Sequence, residues 1–242
     1  MTRKPSSRKS ASKPAPAPRL RPGRLIRRWA LRGVIGFGAL ILFFVLLFAV
    51  VNPPTTFTML AEGRRLGGVE QEWADWDEIA PVMARSIVAA EDANYCLHWG
   101  FDMRAIRAAM EAGGNRGAST LSQQVVKNVF LWQGRSWPRK ALEAIITPVV
   151  ETVWTKRRIL EVYMNVAEFD EGVFGVKAAA QNAFDTTPDR LTAVQAARLA
   201  AVLPDPKERD AANPGSFTRR RAASIMDGAN TIRADGRAGC FE

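Results

Sequence analysis

The chain has 242 residues, 47% of them hydrophobic, enough for one ordinary domain with its own core, and a formal charge of +10. The charge is concentrated: residues 1–32 hold eleven Lys and Arg and no acidic residue, leaving 23 basic against 24 acidic side chains over residues 33–242, a net of −1. A near-neutral folded part lacks the broad basic face that binding a phosphate backbone requires, which argues against nucleic acid as a partner.

In chain order, residues 5–23 are rich in Pro, Ser, Ala and Arg, too polar to offset chain entropy by burial, so residues 1–32 are expected to form a disordered basic tail. Residues 33–51 (GVIGFGALILFFVLLFAVV) carry no charge. As a helix they span about 28 Å, close to the hydrocarbon core of a bilayer, and are expected to cross it once. The Lys/Arg-rich flank marks the N-terminus as cytoplasmic and the remainder as external, with Trp29 placed as an interfacial anchor. The apolar run is longer than the core of a signal peptide and no small-x-small cleavage site follows it, which favours an uncleaved anchor. Pro53 and Pro54 then open a connector expected over residues 52–76. Cys96 and Cys240 are too few for a disulfide framework or a Cys-only metal site, and their spacing leaves their pairing open.

Residues 77–242 read as a single, mainly α domain. Asp77 can cap a helix that places Ile79, Val82, Met83 and Ile87 on one face and delivers Glu91 at its end. Further helices are expected at 102–112, 119–131, 138–165 with an interruption, 172–184 and 191–202, the last stopped by Pro204 and Pro206. Pro148 threatens the long helix with a kink. No run alternates long enough to demand a sheet, and residues 207–242 receive no role.

Four clusters can carry chemistry, and each has a plainer reading. In EDANYCLHWGFD, Glu91 to Asp102, the acidic pair suits a solvated helix end, and the single histidine, His98, suits a turn hydrogen bond. In RGASTLSQQVVKN, Arg116 to Asn128, a helix N-terminus with hydroxyls can take an anion or sugar hydroxyls, or simply be an ordinary cap. Arg135 precedes RKALE, where Arg139 and Glu143 stand at i, i+4 spacing and can form a surface ion pair. KRRILEVYMN, Lys156 to Asn165, reads as a helix with its apolar side chains packed inward. The apolar Val125, Val126, Val129, Phe130, Leu131, Trp132 and Trp137 serve either as core or as membrane contact.

Taken jointly and in order behind an apolar anchor, these clusters, with VFGVKAAAQNAF (Val173 to Phe184) and LTAVQAARLAAVLPDP (Leu191 to Pro206), resemble the bacterial peptidoglycan glycosyltransferases. The resemblance covers about residues 53–206 and fits the monofunctional biosynthetic transglycosylase branch. It implies a lysozyme-like, mainly α catalytic domain behind one N-terminal transmembrane helix. It also implies polymerisation of lipid II by inverting transfer, with MurNAc C1 of the growing glycan as donor, the GlcNAc 4-hydroxyl as acceptor and polyprenyl pyrophosphate as leaving group.

Carried over position by position, the resemblance implies Glu91 as general base and Glu143 as a second carboxylate, which orients cations or steadies charge at C1. Lys127, Arg135, Arg139 and Lys140 would face the pyrophosphate, and Ser119, Thr120, Gln123 and Gln124 would hold phosphate or sugar. The partners implied are lipid II, the growing glycan-polyprenyl pyrophosphate, membrane lipid and other cell-wall synthesis proteins, at the inner membrane with the catalytic domain periplasmic. No cofactor is required; Mg²⁺ assists some relatives, but no metal cage is spelled out here. Tyr95 in place of Phe, Ala183 in place of an aromatic and Gln195 in place of Glu depart from the family pattern. A lytic, glycan-cleaving enzyme and a non-catalytic assembly scaffold are the alternatives.

Overall fold

The computed structural model describes residues 22–113, 117–134 and 136–242, so the expected tail up to residue 21 and Arg135 lie outside the described residues. The chain divides after Leu40 into two units. The first contains most of helix α1, Pro22–Phe48, which begins well before the apolar run and ends before Val51. Residues 25–32 (LIRRWALR) contain no Gly or Pro, so nothing stops the apolar helix from extending back into the basic flank. Its Leu25–Phe48 stretch of 24 residues is long and apolar enough to cross a membrane. Leu25, Ile26, Val34, Ile35 and Phe37 are exposed, an apolar surface that water disfavours and hydrocarbon accepts.

The second unit, Ile41–Glu242, includes the last turns of α1. There Val45 is fully buried, and the Trp154 indole donates to the Val45 carbonyl at 2.7 Å. Arg158 closes the helix end: its guanidinium donates to the carbonyls of Phe48 (3.1 Å) and Val51 (3.0 Å) and to the Asn52 side chain (2.9 Å). A cation there satisfies orphan carbonyls and complements the negative end of the helix dipole.

The expected connector is part of the domain. Thr56 caps helix α2, Phe57–Leu66, whose Met59 is buried, and strand β1, Glu70–Gln71, follows. Asp75 begins a short 3-10 turn, Trp76–Glu78, so the chain enters helix α3 only at Pro81 and leaves it at Glu91. Helices α4 (Met103–Glu111), α5 (Leu121–Phe130), α6 (Trp137–Val153) and α7 (Lys156–Val166) come next. Pro148 is accommodated inside α6, and the expected interruption falls instead at Trp154–Thr155, where the Thr155 hydroxyl caps α7 by accepting from the Arg158 amide at 3.1 Å.

A small sheet appears where none was expected. Strands β2 (Glu168–Asp170) and β3 (Val173–Phe174) pair antiparallel, and β1 adds parallel to β3, in the order β1-β3-β2. With two or three residues each, such strands leave no alternation to read. Gly175 then turns the chain into helix α8, Val176–Phe184; its φ is 84°, and a Cβ would lie 2.9 Å from the Asn165 carbonyl oxygen, so only glycine fits.

Helix α9, Ala193–Val202, opens with a Thr192/Gln195 capping box, which gives Gln195 a structural task. Helix α10, Ser216–Ala234, lies in the segment left without a role and packs on α3 and α9. Its end is tied back by a disulfide between Cys240 and Cys96, 144 residues apart, by Arg237 donating to the Ala93 carbonyl at 2.9 Å and by the fully buried Phe241. Closing so long a loop restricts the unfolded chain, so Cys240→Ser is expected to cost roughly 4–5 kcal/mol in the chain-entropy picture. Denaturant unfolding of oxidised wild type and variant measures this; equal midpoints would remove the disulfide from the stability account.

Candidate active site

Glu91 and Asp92 end α3 with different tasks. Asp92 is buried; its Oδ1 meets His98 Nε2 at 2.8 Å and its Oδ2 accepts the Leu121 amide at 3.0 Å. A carboxylate thus occupies the positive N-terminus of α5 and fastens the end of α3 to it. His98 serves as a hydrogen-bond partner in the following turn. Glu91 is partly buried, and its Oε2 accepts from Gln124 Nε2 at 2.9 Å while Gln124 Oε1 accepts the Tyr163 hydroxyl at 3.2 Å. Burial, then the charge of Glu91, pushes the Tyr163 phenol well above its ordinary range, so it stays a neutral donor.

Helix α5 separates core from cleft by periodicity. Val125, Val126, Val129 and Phe130 are buried, whereas Gln124, Lys127 and Asn128, at i, i+3 and i+4, line a cavity of about 380 Å³ together with Tyr163. Among the described residues Lys127 has no hydrogen-bond or ion-pair partner. Burial pushes its ammonium below the usual lysine range; Arg139 and Lys140 reinforce this, and Glu143 and Glu91 oppose it. Lys127 is therefore within electrostatic reach of both carboxylates and of the next two cations.

Those cations stand on α6. Glu143 is 2% exposed, far from the surface pair its spacing suggested. Its Oε2 accepts from Arg139 Nη1 at 2.7 Å and its Oε1 is paired with Lys140. Arg139 also donates to the Gly134 carbonyl at 2.8 Å, and Lys140 to the Ser119 hydroxyl at 3.2 Å. Arg139 and Lys140, with Ser136 and Trp137, line a second pocket of about 300 Å³.

The structure thus brings together Glu91, Gln124, Lys127, Arg139, Lys140, Glu143 and Ser119. Thr120 and Gln123 have their polar groups engaged within the fold. Both are buried in the α5 capping box, where Thr120 donates to the Gly100 carbonyl at 2.7 Å and accepts the Gln123 amide at 3.3 Å, and Gln123 accepts the Thr120 amide at 3.1 Å. Their polar groups brace the helix that carries Gln124 and Lys127. Arg135 lies outside the described residues. Of the apolar stretch, only Trp132 and Trp137 are exposed, the latter at 88%; Val125 to Leu131 supply core.

The fourth cluster supports the site from beneath. Lys156 donates to Glu151 at 2.8 Å and sits 4.4 Å above the Tyr95 ring, while Ser122 of α5 bonds the same carboxylate. The Tyr95 hydroxyl, absent where Phe stands, donates to the Lys156 carbonyl at 2.9 Å. Gly100, at φ 83°, passes close to this network; a Cβ would lie 2.8 Å from Thr147 Cγ2. Asn165 grips the Ala74 backbone through both side-chain groups, at 2.8 and 2.9 Å.

Sequence reasoning missed Glu62, Glu168 and Lys207, which line the far part of the larger cavity, with Lys207 Nζ 2.6 Å from Glu62 and 3.9 Å from Glu168. Burial pushes the Glu168 carboxyl up. These residues come from α2, β2 and the segment after α9, so no local spacing joins them. Among the described residues no three His, Cys, Asp or Glu side chains converge on a metal. Glu91 and Glu143 already face cations, so this donor set does not fit a resident dication.

The transglycosylase family profile matches residues 58–230. The chain is 62% identical over 216 residues to a biosynthetic peptidoglycan transglycosylase of Jannaschia sp. (strain CCS1), covering 89% of this chain and 90% of that one. Proteins of the same description from Xanthomonas campestris pv. campestris (strain B100) and Stutzerimonas stutzeri (strain A1501) are 45% and 49% identical, covering 89% and 77% of this chain and 94% and 81% of theirs. This chain belongs to the transglycosylase family. It is a glycosyl-transferring enzyme, and its mainly helical domain agrees with the lysozyme-like expectation.

Two outcomes follow for this transglycosylase. Removing Glu143 leaves Arg139 buried without its carboxylate, so Glu143→Ala should cost about 3–5 kcal/mol of stability, read from denaturant midpoints. Because Lys127 sheds its proton below the ordinary lysine range of about 10.4, the rate kcat/KM should fall on the alkaline side earlier than an unperturbed lysine would allow. Lys127→Arg, which stays charged, should move that limb upward; an unmoved limb assigns it to another group.

Proposed function

We propose that this enzyme polymerises lipid II into peptidoglycan glycan strands. The observation that carries the reading is Lys127, which lines a polar cleft beside Gln124 within electrostatic reach both of Glu91, the carboxylate that Gln124 holds, and of Arg139 and Lys140 on the next helix. A sugar hydroxyl is a poor nucleophile at neutral pH, so its proton must leave as the bond forms. Glu91 takes the proton from the GlcNAc 4-hydroxyl of lipid II, a contribution typically of about 10²–10⁴-fold. With Oε2 engaged by Gln124, Oε1 is the oxygen left to accept it.

The hydroxyl oxygen attacks MurNAc C1 of the growing strand from the face opposite the polyprenyl pyrophosphate. A β-1,4 bond forms, the C1–O bond breaks and its electron pair leaves with the pyrophosphate. Lys127, Arg139 and Lys140 face that growing negative charge, and Glu143 keeps the last two in place. Ser119 and Gln124 contribute further polar contacts to the substrates, and Arg135 joins the cationic set by its position in the family motif.

Both substrates carry long lipid tails, so an enzyme anchored in the same bilayer meets them in two dimensions. The basic flank of α1 supports a cytoplasmic N-terminus at the inner membrane, and the Cys96–Cys240 disulfide suits an oxidising compartment outside it. Exposed Trp132 and Trp137 suit contact with membrane lipid.

The test is incubation of the full-length protein with lipid II in detergent or vesicles. Polymer should accumulate with wild type, and Glu91→Gln should lower the rate by at least about a hundredfold with the thermal midpoint retained. Shortening of preformed glycan in place of polymer growth would identify a lytic enzyme, and full activity of Glu91→Gln would remove Glu91 from the reaction.

A further inference from the structure

The run Arg219-Arg220-Arg221 has no part in the reaction as described, and its three residues have different surroundings. Arg219 donates to the Pro214 carbonyl at 2.6 Å, Arg220 is exposed, and Arg221 turns inward. Its Nη2 donates to the Ala90 carbonyl at 3.4 Å and stands 3.7 Å from Glu91 Oε1. Its Nε is buried and has no partner among the described residues. The guanidinium therefore faces the one oxygen of the general base that Gln124 does not hold.

We infer that Arg221 is a positioning residue for the proton acceptor, delivered from the C-terminal helix to fix the orientation of the Glu91 carboxylate and to balance its charge. This rests on Glu91 acting as the base. A carboxylate held by a single hydrogen bond keeps freedom about its side-chain torsions; a cation 3.7 Å from the second oxygen, on a different helix, narrows that freedom before substrate arrives and leaves Oε1 without a hydrogen bond, open to the proton. A partly buried anion also needs a compensating cation when the cleft holds no acceptor.

The whole C-terminal segment acts as the brace for this contact. Gly228 lets α10 approach α3 closely, since a Cβ there would lie 3.1 Å from Ala89 Cβ. Beyond the helix, the disulfide to Cys96, Arg237 on the Ala93 carbonyl, and Arg157 on the Phe241 carbonyl at 3.0 Å tie the segment to the residues that follow Glu91 and to α7. Lipid binding by the arginine run does not account for Arg221, because its guanidinium is directed at the partly buried Glu91 carboxylate.

The experiment measures lipid II polymerisation by the full-length chain carrying Arg221→Met, Arg221→Gln or Arg221→Lys, with Glu91→Gln alongside. Met keeps the apolar stem, Gln keeps a donor for the Ala90 carbonyl, and Lys keeps the charge. Met and Gln should each lower kcat about tenfold with KM for lipid II unchanged, a part of the general-base contribution, and Lys should recover most of it. Wild-type kcat in both Met and Gln overturns the inference, and so does a loss that Lys does not recover or that falls on KM. If Glu91→Gln is inactive while the Met and Gln variants match wild type, only the role of Arg221 falls; if Glu91→Gln is fully active, the assignment of the base falls and this inference with it.

Discussion

The site depends on one carboxylate that takes no part in the chemistry. Asp92 holds the first amide of α5 with one oxygen and His98 with the other, so the last turn of α3 and the first turn of α5 form one rigid corner. Without that corner nothing would bring Gln124 of one helix to Glu91 of the other. Adjacent carboxylates thus divide the work: one is used up inside the fold, and its neighbour is held by Gln124, a residue that lines the cleft.

Around that corner the buried charges are balanced in sets. Glu143 pairs with both Arg139 and Lys140 and leaves that set one positive charge, Glu151 takes Lys156, and Asp92 meets a helix N-terminus. Such pairs are weak arguments for stability, because desolvation consumes most of their attraction. Their value here is geometric: each fixes a long side chain that would otherwise sample many rotamers. Lys127 is the exception, close to both carboxylates but bonded to neither, which suits a group reserved for an anionic ligand.

The same logic explains the two ends of the folded unit. At the N-terminal side, Arg158 caps the end of the membrane-type helix and Trp154 bonds its last full turn, so those last turns belong to the folded unit. At the C-terminal side, α10 and the disulfide close over α3 and bring the Arg221 guanidinium to Glu91. Both devices join residues more than a hundred positions apart, for instance Val45 with Trp154 and Cys96 with Cys240.

The sequence by itself determined what is local: an uninterrupted apolar run that must be a helix, the 3.6-residue periodicity of α3, α5, α7 and α9, and the order of motifs that marks the family and its carboxylates. It was silent where meaning depends on partners distant in the chain. The capping roles of Thr120 and Gln123, the burial of the Arg139–Glu143 pair, the two-residue strands and the reach of Arg221 became visible only in the folded protein. Periodicity records which face of a helix is apolar, but a polar side chain looks the same in sequence whether it meets water, a substrate or a buried backbone group, and only tertiary packing decides which.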